Sequence, residues 1–124
     1  MSPHCPRDRA GAERQGRRGE NWAAWHLRLT GWRILARRVK TARGEIDLIA
    51  RRGRTVCFVE VKWRARASER GGAIDARRLQ RVGEAAAALA PRYARAGEDV
   101  RVDVLLLAPW CWPRRITNAW QPGV

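Results

Sequence analysis

The pattern of apolar residues predicts an α/β domain, a mixed sheet flanked by helices in the order helix, three strands, helix, two strands. Three observations predict it. Residues 44–62 alternate as a hairpin does. Stretches with helical spacing lie on either side, one ending at Gly31 and the other at Pro91. Val100 to Ala108 is almost continuously aliphatic, which suits a strand covered on both faces. A chain of 124 residues has room for one domain with one modest core, which we assign to residues 12–124. Residues 1–11, with Pro3, Pro6, Arg7, Arg9 and Gly11, read as a disordered basic arm.

Glu13 to Thr30 reads as the first helix. Trp22, Trp25, His26 and Leu29 recur at helical spacing and form the expected buried stripe. Gly16 and Gly19 weaken its first turns, and Gly31 follows as the left-handed residue at its end. A histidine in such a place is more often on a helix surface than a ligand, so His26 is assigned no role. Trp32 to Val39 reads as a strand, with Arg37, Arg38 and Lys40 toward its end. Trp63 to Gly72 reads as a basic loop, with Trp63 either packed in the core or available to stack on a base. Ile74 to Leu89 is the second helix, with Ile74, Leu79, Val82, Ala86 and Leu89 as its apolar stripe. Arg77, Arg78 and Arg81 share its basic side, Gln80 is a weaker candidate to point into the site, and Pro91 is expected to end it. Within Val100–Ala108, Asp103 needs a partner, either Arg101 or an arginine of the second helix. Pro109 to Pro113 is a turn, and Arg114 to Trp120 a short edge strand.

The hairpin carries the chemistry. Glu45 to Ala50 alternates acid and aliphatic, and Thr55 to Lys62 is β-branched and aromatic. Arg52-Gly53 supplies the turn. Glu60 and Lys62 point to one face, about 7 Å apart along the strand. Val59 and Val61 point to the other, apolar face. With a two-residue loop at Arg52-Gly53, Ala50 faces Thr55, Asp47 faces Phe58 and Glu45 faces Glu60. Glu45, Asp47, Glu60 and Lys62 then share one face, with Asp47 diagonal to Glu60 and within reach of one shared ion. Three carboxylates on one face repel one another without a cation, and two carboxylates plus several waters is a usual way to hold Mg²⁺. A lysine beside such an ion orients or deprotonates water and offsets charge on a phosphorane-like transition state.

Composition narrows the partners. Net charge is +14 and hydrophobic content 45%, so the chain is globular and attracts polyanions, nucleic acid foremost. Of the 26 basic side chains only Lys40 and Lys62 are lysines. A general drift toward arginine explains part of the charge, and it makes the ammonium kept at Lys62 more telling. An ammonium can shift its pKa and transfer a proton, and a guanidinium essentially cannot. No apolar run approaches the roughly 20 residues of a membrane span, and no secretory leader is visible, so a cytoplasmic address is expected. Cys5, Cys57 and Cys111 have no zinc-like spacing, and Cys57 reads as a core thiol.

At the hairpin residues the chain resembles the PD-(D/E)XK nuclease superfamily, Asp47 matching the first acid and Glu60-Val61-Lys62 the E-x-K element. More narrowly it resembles the small bacterial YraN family of predicted endonucleases, similar in turn to archaeal Holliday-junction resolvases. The matching pieces are Gly19-Glu20, Gly31 to Leu35, Gly44 to Ala50, Phe58 to Lys62, Arg101 to Val104 and Asn118 to Trp120, spanning about residues 12 to 120. The resemblance implies a restriction-endonuclease-like fold and a Mg²⁺- or Mn²⁺-dependent endonuclease acting on DNA, branched DNA included. It implies that Asp47, Glu60 and the backbone carbonyl of Val61 hold the ion and that Lys62 activates water. It also brings Glu20 toward the metal pocket, with a solvent carboxylate as the alternative. Glu45 is expected to support the site. Arg64, Arg66, Arg78 and Arg81 are expected to position phosphate. The family commonly has Asn where Arg38 stands and Lys where Arg78 stands. The latter keeps the charge, so a phosphate contact survives there and proton transfer does not. A two-fold homodimer would suit a junction substrate. The competing reading is a catalytically silent nucleic-acid-binding module with the same fold. A basic protein that docks on ribosomal RNA is poorer, since it gives the acidic face no purpose.

Overall fold

The structure, a computed structural model, describes residues 12–63 and 76–120. The arm at 1–11 and the loop arginines Arg64 and Arg66 lie outside the described residues. The elements are α1 (Ala12–Leu29), β1 (Arg33–Lys40), β2 (Glu45–Arg52), β3 (Thr55–Trp63), α2 (Ala76–Tyr93), β4 (Asp99–Leu107) and β5 (Arg114–Trp120). They form one five-stranded sheet in sequence order. Every neighbouring pair is antiparallel except β3 and β4, which run parallel because α2 crosses between them. This is the expected α/β class, a mixed sheet flanked by helices in a restriction-endonuclease-like arrangement.

The alternation of β3 divides the core into two layers. Cys57 and Val59 pack with Leu48, Ala50, Leu105 and Leu107 beneath α1. Val56 and Phe58 pack with Ile49 and Val102 beneath α2. The stripe that α1 buries differs from the expected one. Ala23, Ala24 and Leu27 are fully buried, and His26 nearly so, whereas Trp25 and Leu29 are exposed. Small side chains let the helix axis lie close to the sheet, so the alanines, not the bulkier residues, face inward. Gly31, at φ +94°, ends α1 as expected. The Trp32 N–H bonds to the Leu27 carbonyl at 2.9 Å and the Gly31 N–H to Arg28 at 3.1 Å.

Two further expectations are corrected. Pro91 lies inside α2, which continues to Tyr93. The hairpin turn is Gly53-Arg54, because Arg52 pairs with Thr55 and Ala50 with Cys57. Gly53 takes φ +61° at the first central position, where a type II′ turn favours glycine. The register is therefore slipped by two residues from the expected one. A slip of two leaves every side chain on its predicted face but changes its partner.

Close packing of α2 depends on Gly83, where a Cβ would lie 2.1 Å from a ring carbon of Trp120. The Trp120 indole N–H also donates to Gln80 at 3.3 Å. Gln80 thus serves the β5 contact and is not among the cleft residues described below. In β4, Asp103 is fully buried. It accepts two bonds from Arg101 (3.2 and 3.0 Å), one from Arg115 Nε (2.7 Å) and one from the Asn118 N–H (2.8 Å). Arg101 was an expected partner. Arg115 of β5, not an arginine of α2, supplies the second cation. Arg52, Arg101 and Arg115 all lie over the Trp32 ring, whose face attracts their positive charge.

Candidate active site

The β2–β3 ladder runs from the turn to the Leu48–Val59 rung. The next residues on each strand are Asp47 and Glu60, which brings them opposite each other at a fork. Asp47 Oδ2 accepts the Val61 N–H at 2.8 Å, so the carboxylate replaces a backbone acceptor where the strands part. Glu60 continues the Val56–Phe58 side of β3 and meets α2. It is 3% exposed, and its Oε1 accepts Arg78 Nε at 2.7 Å. Arg78 Nη2 lies at the same distance from that oxygen.

Gly44, Glu45, Asp47 and Glu60 on the sheet, with Arg77, Arg78, Arg81 and Val82 on α2, line a cleft of ≈ 450 Å³. Thr41 shapes the approach to it. Its hydroxyl donates to the Gly44 carbonyl at 2.8 Å and accepts from the Arg43 and Gly44 N–H groups at 3.1 Å. That turn delivers Glu45 to the rim. Burial first, then the charge of Glu60, push the Asp47 carboxyl up from its ordinary value to about 7. The Val61 N–H and Arg78 act in the opposite direction and are outweighed.

The other predicted residues fall at different distances from this centre. Glu20 belongs to α1 and accepts Arg38 Nε at 2.5 Å, and its charge still reaches Asp47. Arg38, at φ +51°, is held in a conformation uncommon for arginine. Its guanidinium is raised above its ordinary value chiefly by the bond to Glu20, with further contributions from Glu45 and Asp47. Lys62 is half-buried in β3, two residues past Glu60, and is not among the cleft-lining residues. Trp63 packs against the α1 core, close to Gly19, and so takes the core role. Sequence reasoning missed the Arg78–Glu60 pair and the Arg38–Glu20 pair. Acid and base in each lie 18 residues apart, so no local spacing signals them.

The donor set suits a hard cation: two carboxylates at a fork, all oxygen, with the Asp47 carboxyl raised by burial and by the charge of Glu60. Among the described residues no three His, Cys, Asp or Glu side chains gather as a ready-made cage. An ion here would therefore rest on the acid pair, backbone oxygen and solvent. Among the described residues no helix is long and apolar enough to cross a membrane.

Fold and cleft together define a small α/β domain with an acid pair at a strand fork and a basic helix beside it. The chain belongs to the Uncharacterised protein family UPF0102, whose profile matches residues 19–107. It is 58% identical over 114 residues to a UPF0102 protein of Sphingopyxis alaskensis, covering 92% of this chain and 98% of that protein. It is 62% identical over 111 residues to one of Erythrobacter litoralis, covering 90% and 96%. It is 62% identical over 113 residues to one of Rhizorhabdus wittichii, covering 91% and 96%.

Proposed function

We propose that this chain is a metal-dependent endonuclease of the PD-(D/E)XK type, hydrolysing phosphodiester bonds in DNA. The observation that carries the reading is the Asp47–Glu60 pair at the fork, in a cleft whose other wall is arginine. Asp47 and Glu60 would hold Mg²⁺ or Mn²⁺ through carboxylate oxygens, with the Val61 carbonyl beside them, and the ion would polarise a phosphodiester oxygen there. Lys62, on Glu60's side of β3 by alternation, would orient the attacking water or take its proton at Nζ. Arg77 and Arg81 would hold the flanking phosphates, with the net charge of +14 drawing the polyanion in.

The test is metal-dependent cleavage of branched and linear DNA by wild type and by Asp47→Ala. Cleavage by wild type that vanishes in the variant supports the reading. Binding without cleavage in wild type favours a silent nucleic-acid-binding module, a reading to which the occupied Glu60 oxygen lends some support. Lys62→Arg should retain DNA binding and lose about 10²-fold or more in turnover. Full turnover in that variant removes lysine from proton handling.

A further inference from the structure

The Arg78–Glu60 pair has an unequal geometry. The carboxylate is 3% exposed, while the guanidinium that holds it is 52% exposed. Both Arg78 donors fall on one oxygen, Oε1. Arg78 stands on α2 between Arg77 and Arg81, which line the same cleft. Its side chain can therefore rotate into the cleft without disturbing the core. A buried carboxylate needs a cationic partner. In a cleft without an ion, Arg78 is that partner. A divalent cation arriving at Glu60 would meet the guanidinium's positive charge at close range, and the two would compete for the same carboxylate. A nucleic-acid phosphate offers Arg78 an alternative, since the guanidinium fork matches phosphate oxygens as well as carboxylate.

Building on the nuclease reading above, we propose that Arg78 is a positioning residue that is handed from Glu60 to a substrate phosphate as the divalent ion takes Glu60. Ion and DNA then bind cooperatively, each weakly alone. By linkage the factor by which DNA tightens the ion equals the factor by which the ion tightens DNA. The arrangement keeps Glu60 compensated until both ligands are present, so the cleft is assembled by its substrate. Arg78→Lys preserves the charge but not the two-donor fork, so it should weaken the coupling without abolishing it.

The experiment measures Mn²⁺ affinity of the full chain by calorimetry or electron paramagnetic resonance. It is run with Mn²⁺ alone and with a saturating, phosphorothioate-substituted DNA duplex. In wild type, DNA should tighten Mn²⁺ by about 10-fold or more, within the usual range of coupling. In Arg78→Ala, Mn²⁺ alone should bind several-fold tighter than to wild type, and the DNA effect should shrink to about 2-fold or less. Should that variant fail to show a native circular-dichroism spectrum, Arg78→Gln takes its place. Unchanged or weaker Mn²⁺ binding in the variant, or an unchanged DNA effect, overturns the proposal. If Mn²⁺ binding is abolished by Asp47→Asn yet indifferent to Arg78, only the handover fails. If wild type binds no Mn²⁺ at all, the metal-dependent reading fails with it.

Discussion

Two acids on strands of one sheet, β2 and β4 on either side of β3, meet opposite fates. Asp103 in β4 is fully enclosed and surrounded by two guanidinia and a backbone N–H. Burial alone would push its carboxyl up, but the Asn118 N–H, Arg101 and Arg115 together hold it below its ordinary value. Asp47 in β2 has one backbone N–H and an acidic neighbour, and burial with that neighbour's charge lifts it to about 7. The ingredients are the same: acid, arginine and a strand. Asp103 is over-compensated and closed, which marks a structural centre. Asp47 is under-compensated and lines a cleft, which is the state expected of a group waiting for a ligand.

The largest test breaks the closed side. Asp103→Asn leaves Arg101 and Arg115 facing each other without the charge that holds them. Chemical denaturation should show a loss of about 3–5 kcal/mol. A loss under about 1 kcal/mol would mean the two centres differ less than their geometry says.

The open side should respond in the reverse sense. Asp47→Asn keeps an acceptor for the Val61 N–H and removes the unfavourable charge. Stability at pH 7 should rise by on the order of 1 kcal/mol, while cleavage is lost. The sign follows from proton counts. With a folded value of about 7, above its unfolded value, Asp47 binds more protons folded than unfolded across this window. Its contribution to stability is present in acid and is lost as pH rises from about 4 to about 7. His26 is held below its ordinary value by burial and by Arg115, so it slopes the other way as pH rises toward 6.5. The readout is therefore the difference between wild type and Asp47→Asn at each pH. A difference that stays flat contradicts a raised Asp47.

The smallest expected effect sharpens the role of the helix wall. Arg81→Gln should weaken DNA binding on all sequences alike and reduce the salt-dependence slope by about 1. No change in that slope would place the phosphates elsewhere.

Much of this arrangement was legible in the chain itself. The element order followed from periodicity, and the shared face of Asp47 and Glu60 followed from alternation. The face assignment survived even though the turn was expected one residue early, because a two-residue slip preserves the side to which each residue points. What was not legible depends on distant approach. The burial of Ala23 and Ala24 in place of Trp25 reflects how closely α1 meets the sheet, which hydrophobicity alone does not encode. The pairing of Arg78 with Glu60 and of Arg115 with Asp103 is set by where α2 and β5 dock. A chain this rich in arginine offers too many candidate partners for either choice to be read in advance.

The position of Cys57 has a practical use. It is fully buried under α1, and burial, with the nearby Asp103, pushes its thiol up to about 12. Such a sulfur is inert to maleimides and iodoacetamide while the layer above it stays in place. Alkylation at Cys57 therefore clocks how often that layer lifts, giving a built-in stopwatch for rare openings without any engineered label.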